Sequence, residues 1–127
     1  LVACTGDGIS GSASGSSLNY HYSDEGGNAE GGYNKITGTY PAEFEVSIFN
    51  DDYISVDNLT VSVETGRLRV YLKESDGTIS EVYIEPGQTG SLNGLAEVWA
   101  DETFRIYFDA IDGEALGIIY SMNFSYE

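Results

Sequence analysis

Residues 67–84 read Arg67-Leu68-Arg69-Val70-Tyr71-Leu72-Lys73-Glu74-Ser75-Asp76-Gly77-Thr78-Ile79-Ser80-Glu81-Val82-Tyr83-Ile84. Leu68, Val70 and Leu72 fall on one side of an extended chain, while Arg67, Arg69, Tyr71 and Lys73 fall on the other. That period of two belongs to a strand with one face in a core. Asp76-Gly77 supplies the residues that a tight hairpin turn requires, so residues 79–84 are expected to return beside residues 67–73.

The same alternation extends in both directions. Leu59, Val61 and Val63 precede a turn at Gly66, and Phe44, Val46 and Ile48 form an earlier apolar face opposite Glu43, Glu45 and Ser47. Leu18, Tyr20 and Tyr22 alternate with polar residues, and residues 24–32 read as a polar, glycine-rich loop. After turns at Pro86-Gly87 and residues 88–90 comes a strand over 92–100, carrying the only tryptophan, Trp99. Phe104, Ile106, Phe108 and Ala110 lead to a turn at Asp112-Gly113, and Ile118, Tyr120, Met122, Phe124 and Tyr126 share the last face. No window has a useful helical period. About eight or nine short strands at intervals of about ten residues predict an all-β fold, a two-sheet antiparallel sandwich of immunoglobulin-like or jelly-roll-like type, with a small barrel as second choice. The domain is expected over residues 18–127, preceded by a Gly/Ser-rich extension over 1–17 that is either flexible or strand-donating.

The 127 residues carry 21 Asp and Glu against 5 Lys and Arg, a formal charge of -16. A surface of that sign repels phosphate backbones, which excludes nucleic acid as an expected partner. With 41% hydrophobic and 13% aromatic residues there is enough apolar side chain for a folded core, unlike a disordered acidic chain.

Cys4 is the only cysteine, so the chain closes no internal disulfide and has no cysteine metal cluster. Leu1-Val2-Ala3-Cys4 resembles the lipobox of secreted prokaryotic lipoproteins, with an apolar residue three places before the cysteine and a small one just before it. The resemblance implies a lipid on Cys4, with residues 5–17 as a spacer between membrane and domain. Membrane contact is expected only through that lipid.

His21, the one histidine, stands on the polar side of its strand, with no nucleophile motif nearby. There is no nucleophile elbow, zinc helix or phosphate loop, and the chain is expected not to be an enzyme. A carboxylate pair could in principle hydrolyse a glycoside, but none stands out among so many acids. Calcium is the one cofactor to consider, because it takes clustered oxygens from loops. The candidate ligands are Asp24 and Glu25, with Asn28 and Glu30; Asp51, Asp52 and Asp57, with Asn50 and Asn58; and Asp112 with Glu114. None reproduces the EF-hand spacing, and the same residue types are ordinary turn formers.

Arg67, Arg69, Tyr71 and Lys73 form a basic stripe that would either pair with acids on the adjacent strand or meet the acidic face of a neighbouring subunit. Asn58-Leu59-Thr60 and Asn123-Phe124-Ser125 match the glycosylation triplet. The ten tyrosines suit half-wet sheet surfaces. Together these features predict an extracellular or cell-surface structural protein that self-assembles into a homo-oligomer or homopolymer through its N-terminal extension. A lipid-anchored module binding glycan, calcium or protein is the alternative.

Overall fold

The computed structural model describes residues 11–46 and 53–126. Among them every regular element is a strand: β1 (Gly11–Ser14), β2 (Ser17–Tyr22), β3 (Gly26–Glu45), β4 (Tyr53–Thr65), β5 (Leu68–Lys73), β6 (Ile79–Ile84), β7 (Thr89–Glu97) and β8 (Thr103–Tyr126). All pairings are antiparallel and join the strands into one 8-stranded sheet. The chain is thus all-β and antiparallel, with its hydrogen bonds forming a single sheet rather than two.

The strands line up end to end as bent arms. β1 and β2 both run beside β3, β3 runs beside β8 for its whole length, β4 and β5 follow the other side of β8, and β6 and β7 lie outside β5 and β4. Four arms bend at a glycine with positive φ: Gly38 in β3, Gly113 in β8, Gly66 between β4 and β5, and Gly87 between β6 and β7, while β1 and β2 run in one register along residues 27–38 of β3. These glycines form a crease across the sheet. Within it Gly38 alone on β3 faces residues 110–113 on β8, a bulge that bends both strands without moving either apolar row to the other face.

The crease folds the sheet onto itself. Phe104 and Phe124 lie twenty residues apart on β8 and would be about 66 Å apart in a straight strand, yet their rings meet at 5.1 Å between centroids. Phe108 and Tyr120 meet across the same fold at 5.5 Å, and Tyr33 and Tyr40 at 5.5 Å. The Tyr20 hydroxyl donates across it to the carbonyl of Glu45. One half contains β1, β2, β4, β7 and residues 26–37 and 114–126; the other contains β5, β6 and residues 39–45 and 103–110. Between the halves lies one core, including Phe44, Ile54, Leu59, Leu68, Val70, Leu72, Phe104, Ile106, Phe108, Ile118, Tyr120 and Phe124.

Several expected reversals are therefore bends. Gly66, Pro86-Gly87 and Asp112-Gly113 continue an arm in the same direction along its neighbour, because a positive-φ glycine serves a crease as readily as a turn. Asp76-Gly77 does reverse the chain, with the Gly77 amide donating to Glu74 at 2.9 Å. The stretch read as a loop over 24–32 is mostly strand, since β3 begins at Gly26. Its glycines make room for aromatic rings from β8: a Cβ on Gly27 would lie 2.7 Å from the Phe124 ring, and one on Gly31 2.8 Å from the Tyr120 hydroxyl. The sheet also reaches back into the stretch read as a tether, because Gly11–Ser14 pairs with residues 35–38 of β3.

The crease glycines differ in what surrounds them. Gly113→Ala forces a side chain to φ 97° in open space and is expected to cost about 1–2 kcal/mol. Gly66→Ala, at φ 84°, also sets a Cβ 2.5 Å from the Glu114 carbonyl oxygen, so urea unfolding should show a larger loss there. Equal losses would mean the contact at Gly66 relaxes freely.

Burial raises the hydroxyl pKa of Tyr20, Tyr33 and Tyr120 above the ordinary tyrosine value. In the unfolded chain these groups ionise near pH 10. Their contribution to stability is fully present below that pH and is lost as pH rises through the higher folded values. Absorbance at 295 nm should show a tyrosine fraction that ionises only together with unfolding at high pH.

Candidate functional site

The outward residues of β5 and β8 converge on one patch. Arg69, Tyr71 and Lys73 alternate with the buried Leu68, Val70 and Leu72, and Arg105 and Tyr107 alternate with Phe104, Ile106 and Phe108. Register sets Tyr71 opposite Tyr107. Their rings stack at 4.7 Å with 6° between planes, leaving Tyr71 8% and Tyr107 2% exposed although both are on the outer face. The Arg69 guanidinium lies 4.2 Å from the Tyr71 ring and the Lys73 amine 5.6 Å from the Tyr107 ring. Arg105 covers the Trp99 ring at 3.6 Å. Cation and aromatic face attract through the ring quadrupole.

The stripe's charges are engaged within the chain. Arg69 meets Glu81 of β6 at 2.5 Å, Arg105 meets Glu43 of β3 at 3.4 Å, and Arg67 grips both carboxylate oxygens of Asp112 at 2.7 and 3.2 Å. Arg67 sits at the crease, apart from the patch. Tyr107, Arg105 and Trp99 are not among the candidate site residues read from sequence; the signal was there, since Arg105 and Tyr107 occupy the polar parity of a strand whose other parity is Phe104, Ile106 and Phe108.

The acidic candidates are spread over the sheet. Asp24 and Glu25 lie in the β2–β3 turn, where the Glu25 amide donates to the Ser23 hydroxyl at 3.2 Å. Asp57 is exposed on β4, in one row with Asn123 of β8 and Asn28 of β3. Asp112 is bound by Arg67, and Glu114 lies 3.8 Å from Lys35. Asp51, Asp52 and Cys4 lie outside the described residues. Among the described residues no three His, Cys, Asp or Glu side chains gather where they could hold a metal ion.

The outer face of the other half is polar and flat. Thr60, Ser62, Thr89, Ser91, Ser121 and Asn123 present hydroxyls and amides in adjoining rows around Ile119, which is 67% exposed. Beside it a shallow groove of about 580 Å³ is lined by Gly15, Ser17, Glu30, Asn34, Glu64 and Ile119, among others.

The sheet's margins differ in charge from the rest of the chain. β1 and β2 pair only with β3, and β7 pairs only with β4, among the described residues. Residues 8–23 and 86–96 contain no charged side chain, in a chain of net charge -16. The remaining uncharged run of comparable length, residues 115–126, is enclosed at the sheet's centre on β8. Natural sheets commonly guard open edges with charge or proline, and these margins have neither within β1, β2 or residues 89–96.

No protein-family model matches the chain, and no curated protein is found similar to it.

The hydrogen bond from Arg67 holds the Asp112 carboxyl below its ordinary pKa. Its stabilising contribution is present above the unfolded carboxyl's pKa and is lost as pH falls through the folded value. Asp112→Asn should therefore be less stable than the parent at pH 6 and converge with it near pH 2, measured by urea unfolding at each pH. A difference that persists unchanged at the acid end would show that the pair's charge is not what stabilises this bend.

Proposed function

We propose that the protein is a non-enzymatic structural subunit of the cell exterior that self-assembles by adding the β1–β2 edge to the sheet of a neighbour. The observation that carries this reading is an uncharged edge over residues 11–22, open among the described residues, on an otherwise strongly acidic chain. Two bodies of charge -16 repel wherever acids meet, and an uncharged strand with free backbone groups is where they can approach. Leu18, 54% exposed, and Tyr22, 43% exposed, add apolar area at that edge. The two halves of the folded sheet act as the layers of an immunoglobulin-like or jelly-roll-like sandwich, stiff enough to serve as a building block.

The groove beside Ile119 favours one other reading, a surface module that binds a polar ligand such as a glycan, tethered by a lipid on Cys4. The two separate in one experiment. Under the assembly reading the purified chain grows into long particles in light scattering and electron microscopy, more readily as salt screens its charge. Leu18→Lys, a charge placed on the edge, should halt growth at dimers or below while leaving the circular dichroism unchanged. A parent chain that stays monomeric at high concentration and high salt would sink the assembly reading.

A further inference from the structure

An open chain of subunits needs two contact surfaces, and the direction of the strands says how the second is used. β2, β8 and β7 run one way while β3 and β4 run the other, since every pairing is antiparallel. The two uncharged margins of this half, β2 and β7, therefore point in the same direction. A neighbour related by translation would set its β2 parallel to β7, the less stable arrangement. A neighbour related by a two-fold axis normal to the sheet sets β7 against its own copy in antiparallel fashion, with both core faces on the same side.

Resting on the assembly reading, we infer that β7 (Thr89–Glu97) is a second contact edge and that its occupant is β7 of another copy of this chain. The side chains suit such a pairing. Centred on Leu92, it sets Gly90 against Gly94 of the second copy and Ser91 against Asn93, all small or uncharged, on the faces they already occupy. Glu97 then falls opposite position 87, a glycine, rather than opposite another acid. Glu85 lies beyond the strand at the far end. The sheet so extended keeps like charges from facing one another along its seam. Two-fold contacts at β2 and at β7 alternate, and the product is an unbranched chain of copies.

The test uses the full chain with Cys4→Ser, so that added cysteines report on β7 alone. Ser91→Cys and Asn93→Cys chains, assembled together and oxidised, should form a disulfide between the two variants, because opposed residues of antiparallel strands lie within disulfide reach. Each variant alone should cross-link far less. Thr89→Lys with Ser91→Lys should reduce long particles to dimers joined through β1–β2, by sedimentation velocity, and adding Leu18→Lys should leave monomers. Asn123→Lys, the same charge on an exposed position of the central strand, should leave particle length unchanged. Long particles from the Thr89→Lys, Ser91→Lys chain, or equal cross-linking within one variant, would overturn the inference while leaving self-assembly standing. A monomeric parent would remove both.

Discussion

The whole structure depends on a backbone constraint. Four arms must bend along a common line, and at that line each places a residue at positive φ: Gly38, Gly113, Gly66 and Gly87. A side chain there would meet the steric penalty of the left-handed region, so glycine is what lets a strand turn a corner without ending. Once the arms bend together, the apolar rows of β3 and β8 face themselves. The rings of Phe104 and Phe124, distant along the strand, become core neighbours. The core is not a filling between two sheets that happen to meet; it exists because one sheet is creased.

The same glycines explain which parts of the fold were legible in the sequence. Strand faces could be read directly: Leu68, Val70 and Leu72, and Phe104, Ile106 and Phe108, are buried as their alternation requires. The hairpin at Asp76-Gly77 was legible too. Connectivity was not, because Gly66, Gly87 and Gly113 carry the composition of a turn whether the chain reverses or only bends. What decides between them is the pairing partner, a long-range fact absent from any local window. Gly27 and Gly31 misled for a related reason, since their lack of a side chain is filled by rings contributed from β8.

The basic stripe was legible as a row of alternating cations but not as a chemical environment. Its parity was right, and its bland reading, pairing with acids on adjacent strands, describes Arg69 with Glu81. Sequence could not place Tyr107 against Tyr71, because that contact needs the register of β5 on β8. The aromatic pair turns what would be an open charged face into a closed stack, with cations lying over rings. The more distinctive surface feature proved to be absence of charge at the margins, visible in the sequence only once the margins are known.

β8 lies at the centre of the sheet yet follows every other strand in chain order. Before it is in place, β1–β3 form one fragment and β4–β7 another, and the flanks that will receive β8 are bare. Most of the stabilising contacts are therefore between residues far apart in sequence, which makes for slow folding. During that interval the vacant slot is a template for any β8, including that of another molecule. Exchange of this strand between chains is the characteristic hazard of such a topology.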